Sequence, residues 1–461
     1  MNVVLCVSSL LMLSIIYGST IFSKKKQQLT SYLKHIWIFI QVVFGLVALE
    51  MGGSMMLGTC EQAYTSGLYA FLYIIGISTG FLLLGFGFAQ KMKAMNVENT
   101  IDLFETKYRS SFLRKCASLL SILTTGGLLL GQVVAVKSLI NALDIKSDFI
   151  FIILCFIIVI YAILGGLKAA GITYNTQLIY TLVLFTGIFG FCFFKEPPSF
   201  FLQMLTTQSF VASESISFSS LFSYIVMPAL YYLTDQEFAR PLFIINNKKM
   251  LTLSSLCAVF FMILFSFIPI YFGIKAHTAH LNITQGTTPL IPILKLLTNN
   301  IVLLLSVSSL AISLIAMIDY YLWSISLSIT QELSFTFEWI RNNTSLNKII
   351  VFLVGTTAIF GSYCTSSNAI QLLLSSYDLY DSCLIVPLLM SYFQSDLKKG
   401  SAIGSFLLGL TGFIIFKFIS LPIPEQAASL LLSFIGFYIG GAIELIITRW
   451  QIIKPSKVLS V

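Results

Sequence analysis

The sequence predicts an all-α, polytopic membrane protein, and three observations carry that prediction. Only 10% of its 461 residues are charged and 57% are apolar, with a mean hydropathy of +0.91. A soluble domain needs roughly 25% charged residues to keep its surface wet. Apolar runs long enough to cross the hydrocarbon, about 20 residues each, recur along the whole chain. Lysine and arginine concentrate on alternate connections between those runs, as the positive-inside rule requires.

Taken in order, the runs place spans near 3–22, 36–59, 68–89, 116–142, 149–166, 176–194, 219–237, 251–274, 301–329, 349–370, 377–393, 401–420 and 427–448, thirteen in all. The first is not read as a signal peptide. Its charges, "SKKKQQ" at 23–28, follow the apolar run, and no small-residue cleavage site precedes them. It reads as a retained span with its N-terminus outside and, after thirteen crossings, the C-terminus in the cytoplasm. That arrangement leaves all but six of the 27 lysines and arginines inside; Lys137, Lys146, Lys195, Lys275, Lys295 and Lys417 fall outside or at outer span ends. The formal charge of +8 is therefore an orientation signal and not a nucleic-acid footprint. The implied surroundings are a lipid bilayer, with a bacterial inner membrane the expected location and a monomer the expected functional unit.

No connection is long enough for a soluble domain. The 195–218 loop, with "EPPSFFLQML", reads as a short interfacial helix, and 276–298 as a polar external loop. The eight cysteines stand singly without C-x-x-C spacing, which argues against disulfides or a zinc site, and the three histidines cluster no better. No Ser-His pairing or His/Cys cluster occurs at membrane depth, so an intramembrane enzyme is not expected.

Ionisable residues inside spans are costly and usually face a cavity or a partner. Three places qualify: Glu50 in "LVALEMGGSMMLG", Asp235 and Glu237 in "YYLTDQEFARP", and Asp319 in "SLAISLIAMIDYYLWSISLSI". Gly52 and Gly53 lower the cost of unwinding the second span, and unwound backbone offers carbonyls to a cation. The competing reading is that the glycines only let another helix pack closely. For Asp235 and Glu237 the competing reading is an interfacial charge pair with Arg240.

Several segments together resemble the sodium:solute symporter family, which transports proline, pantothenate, sugars, sialic acid and similar solutes. They are "TIDLFETKYRSSFLRK" (100–115), "GQVVAVKSLI" (131–140), "YAILGGLKAAGITYNTQ" (161–177), "YYLTDQEFARPLF" (231–243) and "SCLIVPLLMSYFQSDLKKGSAIGSFLLG" (382–409). The resemblance runs in family order from about residue 45 to 410. It implies a LeuT-like core of two inverted five-helix repeats, with the first helix of each repeat broken. On this chain the repeats would be 36–194 and 219–395, flanked by an extra N-terminal helix (1–35), the 195–218 loop and two C-terminal helices with a short tail (396–461). It also implies a cation site near Ala48, Glu50, Met51, Ser313 and Asp319, and a solute site near Gly52, Gly53, Ser54, Gln132, Met227, Tyr231 and Asp235. No cofactor is expected beyond a coupling ion.

The departures from the family bear on that ion. Where relatives carry a pair of hydroxyl residues, this chain reads "AMID", and Tyr174 follows Thr173 where they carry an aspartate. Two sodium-linked positions are thus altered together. Asp319 could offset the loss by pairing with Glu50; like charges in a low-dielectric site resist double ionisation, so a proton could ride where sodium rides in relatives. The expected function is cation-coupled symport of a small organic solute, with sodium or a proton as driver. The alternatives are an uncoupled facilitator or a membrane sensor with a separate partner. Helix breaks are expected near Met51–Gly53 and Met227–Leu233, facing each other.

Overall fold

The computed structural model describes residues 31–50, 52–95, 100–144, 147–197, 218–235, 242, 245, 247–283, 286–334, 344–365, 368–394, 396–419 and 423–453. Among these every regular element is helical. The expected first span, 3–22, lies outside the described residues.

The second span is two helices, α1 (Ser31–Glu50) and α2 (Gly53–Ser66). α3 (Phe71–Leu83) continues through a π turn at Leu84–Phe88, where Gly87 takes φ 134°, a conformation few side chains tolerate. α4 (Ser111–Ala142) starts on Ser110, whose hydroxyl accepts from Leu113 N–H at 3.4 Å. α5 (Asp148–Phe193) takes in both the fifth and sixth expected spans without an intervening loop. A straight helix of that length would reach about 69 Å at 1.5 Å per residue, over twice the hydrocarbon thickness. Yet both ends reach one face: Phe151 meets Tyr363 and Lys137, while Glu196, just past the other end, bonds Lys275 at 2.6 Å. The element therefore doubles back, as two spans would.

The seventh span contains a π turn at Phe222–Val226 followed by α6 (Met227–Thr234). The rest comprises α7 (Lys248–Thr278), the short α8 (Leu290–Leu297), α9 (Asn300–Ser334), α10 (Thr344–Cys364), α11 (Ala369–Tyr380), a π turn at Asp381–Ile385, α12 (Val386–Phe393), α13 (Lys399–Ile415) and α14 (Glu425–Ile453). Among the described residues eight stretches are long and apolar enough to cross a membrane by themselves, and four shorter apolar helices accompany them. Leu164, Phe194 and Phe418 are among the many large apolar side chains left facing outward. In water such a surface would be an aggregation hazard; in lipid it is solvated. The chain is an integral, multi-pass membrane protein.

The packing has the pseudo-symmetry of two repeats. α2 of the second span packs on α7 of the eighth, and α6 of the seventh packs on α3 of the third. α4 packs on α11, and α9 on α5. Exchanging the two sets of five spans maps each contact onto its partner. α3 with α7, and α4 with α9, map onto themselves.

The expected faces also assemble consistently. On one, Arg114 is bidentate to Glu332 at 3.1 Å for both bonds, and lies 2.9 Å from Glu105 and 3.6 Å from Asp102. Lys91 sits over the Phe393 ring, and Tyr108 O–H donates to the Pro387 carbonyl at 2.7 Å. On the other, Tyr64 O–H donates to the Leu281 carbonyl at 2.6 Å, and Asn141 to the Gly286 carbonyl at 3.3 Å. Outside the core, α13 and α14 cross at glycines: Gly404 abuts the Gly436 carbonyl, and Gly440 the Gly400 carbonyl. These are small-xxx-small faces of the kind that let membrane helices approach backbone to backbone.

Candidate functional site: two helix ends facing at membrane depth

α1 stops at Glu50. Met51, an expected cation ligand, lies outside the described residues. Gly52 is extended (φ −73°, ψ 172°), its N–H bonding the Glu50 carbonyl at 2.7 Å, and α2 restarts at Gly53. The break expected from the double glycine is present. Close packing is present as well: a Cβ on Gly52 would lie 2.8 Å from Met317 Cγ. Both readings of the glycine pair hold at once.

The second break falls later than expected. Met227–Thr234 is unbroken helix, and the chain turns extended at Asp235 (φ −71°, ψ 132°). Pro228 does not interrupt it, because it occupies the first turn of α6, where a missing N–H costs nothing. The preceding π turn absorbs the irregularity, its Tyr224 and Ile225 carbonyls lying against Gly76.

Both breaks thus end a helix on a carboxylate, and the two carboxylates lie within electrostatic reach of each other. Glu50 is 8% exposed and Asp235 4%. A helix C-terminus carries partial negative charge and favours cations. Two such ends, each with an acidic side chain, form a strongly negative locus in a low dielectric. Such a locus is tolerable only with a proton, a cation or a cationic group of a solute.

Tyrosines surround it. Tyr232 hydrogen-bonds Glu50. Its hydroxyl also lies 3.1 Å from that of Tyr377, which is 3.2 Å from that of Tyr73. Tyr231 stacks on Tyr377 at 4.4 Å and meets Tyr380 edge-on at 5.1 Å. Sequence reasoning missed Tyr73 and Tyr377, because tyrosine in a membrane span is ordinarily unremarked and only the fold puts three hydroxyls in line.

Of the other expected residues, Ala48 and Ser54 are buried beside the first break, while Met227 is buried at the opposite end of α6 from the second. Gln132 is buried on α4 with its Oε1 unpartnered among the described residues. Ser313 is buried one helical turn from Met317, on the face of α9 that meets Gly52. Asp319 is not brought to Glu50. It lies about 200° around α9 from Met317 at 100° per residue. It is fully buried, and neither of its oxygens has a hydrogen-bond partner among the described residues. The expectation treated two carboxylates at membrane depth as neighbours, but helical phase puts them on opposite sides of one helix. Glu50 lies within electrostatic reach of Asp235 instead. Glu237 and Arg240 lie outside the described residues.

Broken helices, paired repeats and a polar locus at the breaks define the LeuT-like transporter fold. Two solved structures share it. A Na+-coupled sialic acid symporter, in a substrate-bound outward-open state, aligns over 97% of this chain and 97% of its own, with a TM-score of 0.70 and 14% identity. Mhp1, a nucleobase-cation-symport-1 family transporter, in a closed conformation with bromovinylhydantoin bound, aligns over 89% and 92% with a TM-score of 0.53 and 12% identity. At these identities the likeness is one of fold. No family model matches the chain, and no curated protein matches it.

Proposed function

We propose that this protein is a secondary active transporter that carries a small organic solute by alternating access, coupled to a cation. The observation that carries the reading is the facing pair of helix ends, α1 at Glu50 and α6 at Asp235, buried at membrane depth. Discontinuous helices at the repeat interface are where transporters of this kind place solute and ion, because free carbonyls and helix ends supply ligands without added side chains. In this reading the ion is sodium or a proton, held near the Ala48 and Met51 carbonyls, Glu50 and Ser313. The solute lies against Gly52, Gly53, Ser54, Gln132, Met227, Tyr231 and Asp235. The start of α2 at Gly53 offers free N–H groups suited to a carboxylate on the solute. The repeats are proposed as 36–194 and 219–395, in a bacterial inner membrane with the N-terminus outside.

The test is a thermal-stability screen of the purified protein against amino acids, sugars and carboxylates, with and without sodium and at two pH values. Ligand bound to the folded state raises the melting temperature. A hit should then be taken up by proteoliposomes along a sodium or proton gradient, and Glu50→Gln should abolish that accumulation. Uptake indifferent to both gradients and to Glu50→Gln would leave an uncoupled facilitator.

A further inference from the structure

Asp381 has no role in the site described so far. It is the middle residue of the 25-residue span Ala369–Phe393, within the π turn between α11 and α12. It is fully buried, and neither carboxyl oxygen has a hydrogen-bond partner among the described residues. π turns inside membrane helices widen the backbone and often mark functional positions. A bare carboxylate at this depth has to be compensated.

We propose that Asp381 is a proton-binding site at mid-membrane, linked through Asp378 to the outer connection of α13 and α14 and through Asp235 to the break in α6. The occupant is a proton because a hard cation needs several oxygens around it. Among the described residues no side-chain donor lies within hydrogen-bonding distance of either Asp381 oxygen, so no set of hydroxyls gathers there to share an ion. A proton needs only one oxygen. One carboxylate becomes one carboxyl group, and no other bond changes.

The neighbours line up on both sides. Asp378 is three residues earlier, one turn along the helix, and within electrostatic reach of Asp381. One of its oxygens accepts from Gln426 Nε2 at 3.2 Å, and the other is unpartnered. Asp378 borders a cavity of about 10 Å³, room for roughly one water, together with Phe413, Lys417, Glu425, Gln426 and Ser429. On the inner side α6 packs against the π turn, with Tyr231 on Tyr380 and Asp235 within reach of Asp381. Tyr380, next in sequence, is within electrostatic reach of Asp381 and of Tyr392 of α12, and Cys383 lies in the same π turn. Glu425 and Lys417 act on Asp378. The series runs from the cavity through Asp378 and Asp381 to the carboxylate that faces Glu50.

The site rests on the transporter reading only for its link to transport, so its test does not use transport. The full-length protein in lipid nanodiscs is compared with Asp381→Asn and Asp378→Asn by infrared spectroscopy at neutral pH and by thermal unfolding between pH 5 and 9. Wild type should show carboxylic-acid carbonyl absorption, one component of which Asp381→Asn removes. Its melting temperature should fall more steeply with rising pH than that of Asp381→Asn, and sodium chloride should not change that difference. Asp378→Asn should keep that component and slow its exchange in heavy water. Carbonyl absorption left unchanged by Asp381→Asn would overturn the proposal. So would stabilisation by sodium that Asp381→Asn abolishes, since that marks a metal site. Failure of Asp381→Asn to fold also counts against it, because asparagine closely matches a protonated aspartate in shape. Unaltered exchange in Asp378→Asn would remove the outer link.

Discussion

Among the described residues Glu50 is hydrogen-bonded to the Tyr232 phenol and lies within electrostatic reach of Asp235. Replacing Tyr232 by phenylalanine strips the donor and leaves a buried acceptor unmet, a loss of about 1–3 kcal/mol. The melting temperature of Tyr232→Phe should therefore fall, and Glu50→Gln combined with it should cost less than the sum of the two single changes. Gly52 gives a second residue-level expectation. A valine there would drive into Met317, whose Cγ lies 2.8 Å from where a Cβ would stand. Gly52→Val should lower stability or bias the conformation, and Met317→Ala should restore much of the loss by vacating that space. If the double variant is no better than Gly52→Val, the collision is not the reason for the glycine. Glu50 and the double glycine were legible as residues, because a carboxylate and two helix-weakening residues in an apolar run are anomalous without any fold. Asp381 meets the same criterion and escaped it, because the eleventh span was drawn from 377, putting Asp381 near an interface. The helix begins at Ala369. Its start is written in the sequence as Asn368 with Gln371 three residues on, a capping box in which each side chain bonds the other's backbone N–H. Read from there, Asp381 falls at mid-depth.

Among the elements, the α13–α14 pair and the inner ends of α4 and α9 rest on different physics. α13 and α14 meet through glycine backbones with no room for a side chain. Gly404→Leu should separate them at a cost near the upper end for overpacking, about 3 kcal/mol, read as a lower melting temperature in detergent. Gly87→Ala is a control of another kind, since space is open there and only the positive φ is strained. At the ends of α4 and α9, Arg114 is 2% exposed and surrounded by Asp102, Glu105 and Glu332. Arg114→Ala removes the guanidinium these acids share and should cost about 3 kcal/mol, the lower figure for breaking a buried pair, since all three acids are partly solvated. Arg114→Lys should recover only part, because an ammonium cannot make the bidentate contact to Glu332. Apolar length separates spans at 149–166 and 176–194, and both fall within α5, whose two ends reach one face.

For the whole molecule, thirteen crossings with the N-terminus outside require the 276–298 loop and the 90–115 segment to lie on opposite sides. Single cysteines introduced at His280 and Lys107 should be modified by membrane-impermeant reagents from outside and inside respectively. Labelling of both from one side would mean that a span has been miscounted. The contacts within each face agree with the arrangement, since Arg114 meets Glu332 and Asn141 meets Gly286.

The sequence by itself determined the solvent, the apolar course of most described helices and the first helix break. Each follows from one-dimensional quantities: apolar length, basic-residue placement, and glycines beside a carboxylate. Tertiary structure alone decided which charges meet. Glu50 and Asp235 are 185 residues apart and join because pseudo-symmetric packing sets two helix ends opposite each other. Asp319, equally buried and equally acidic, is excluded by its phase around α9. The phase of one helix against another depends on side chains far away in the chain, and so the composition of a span cannot fix it.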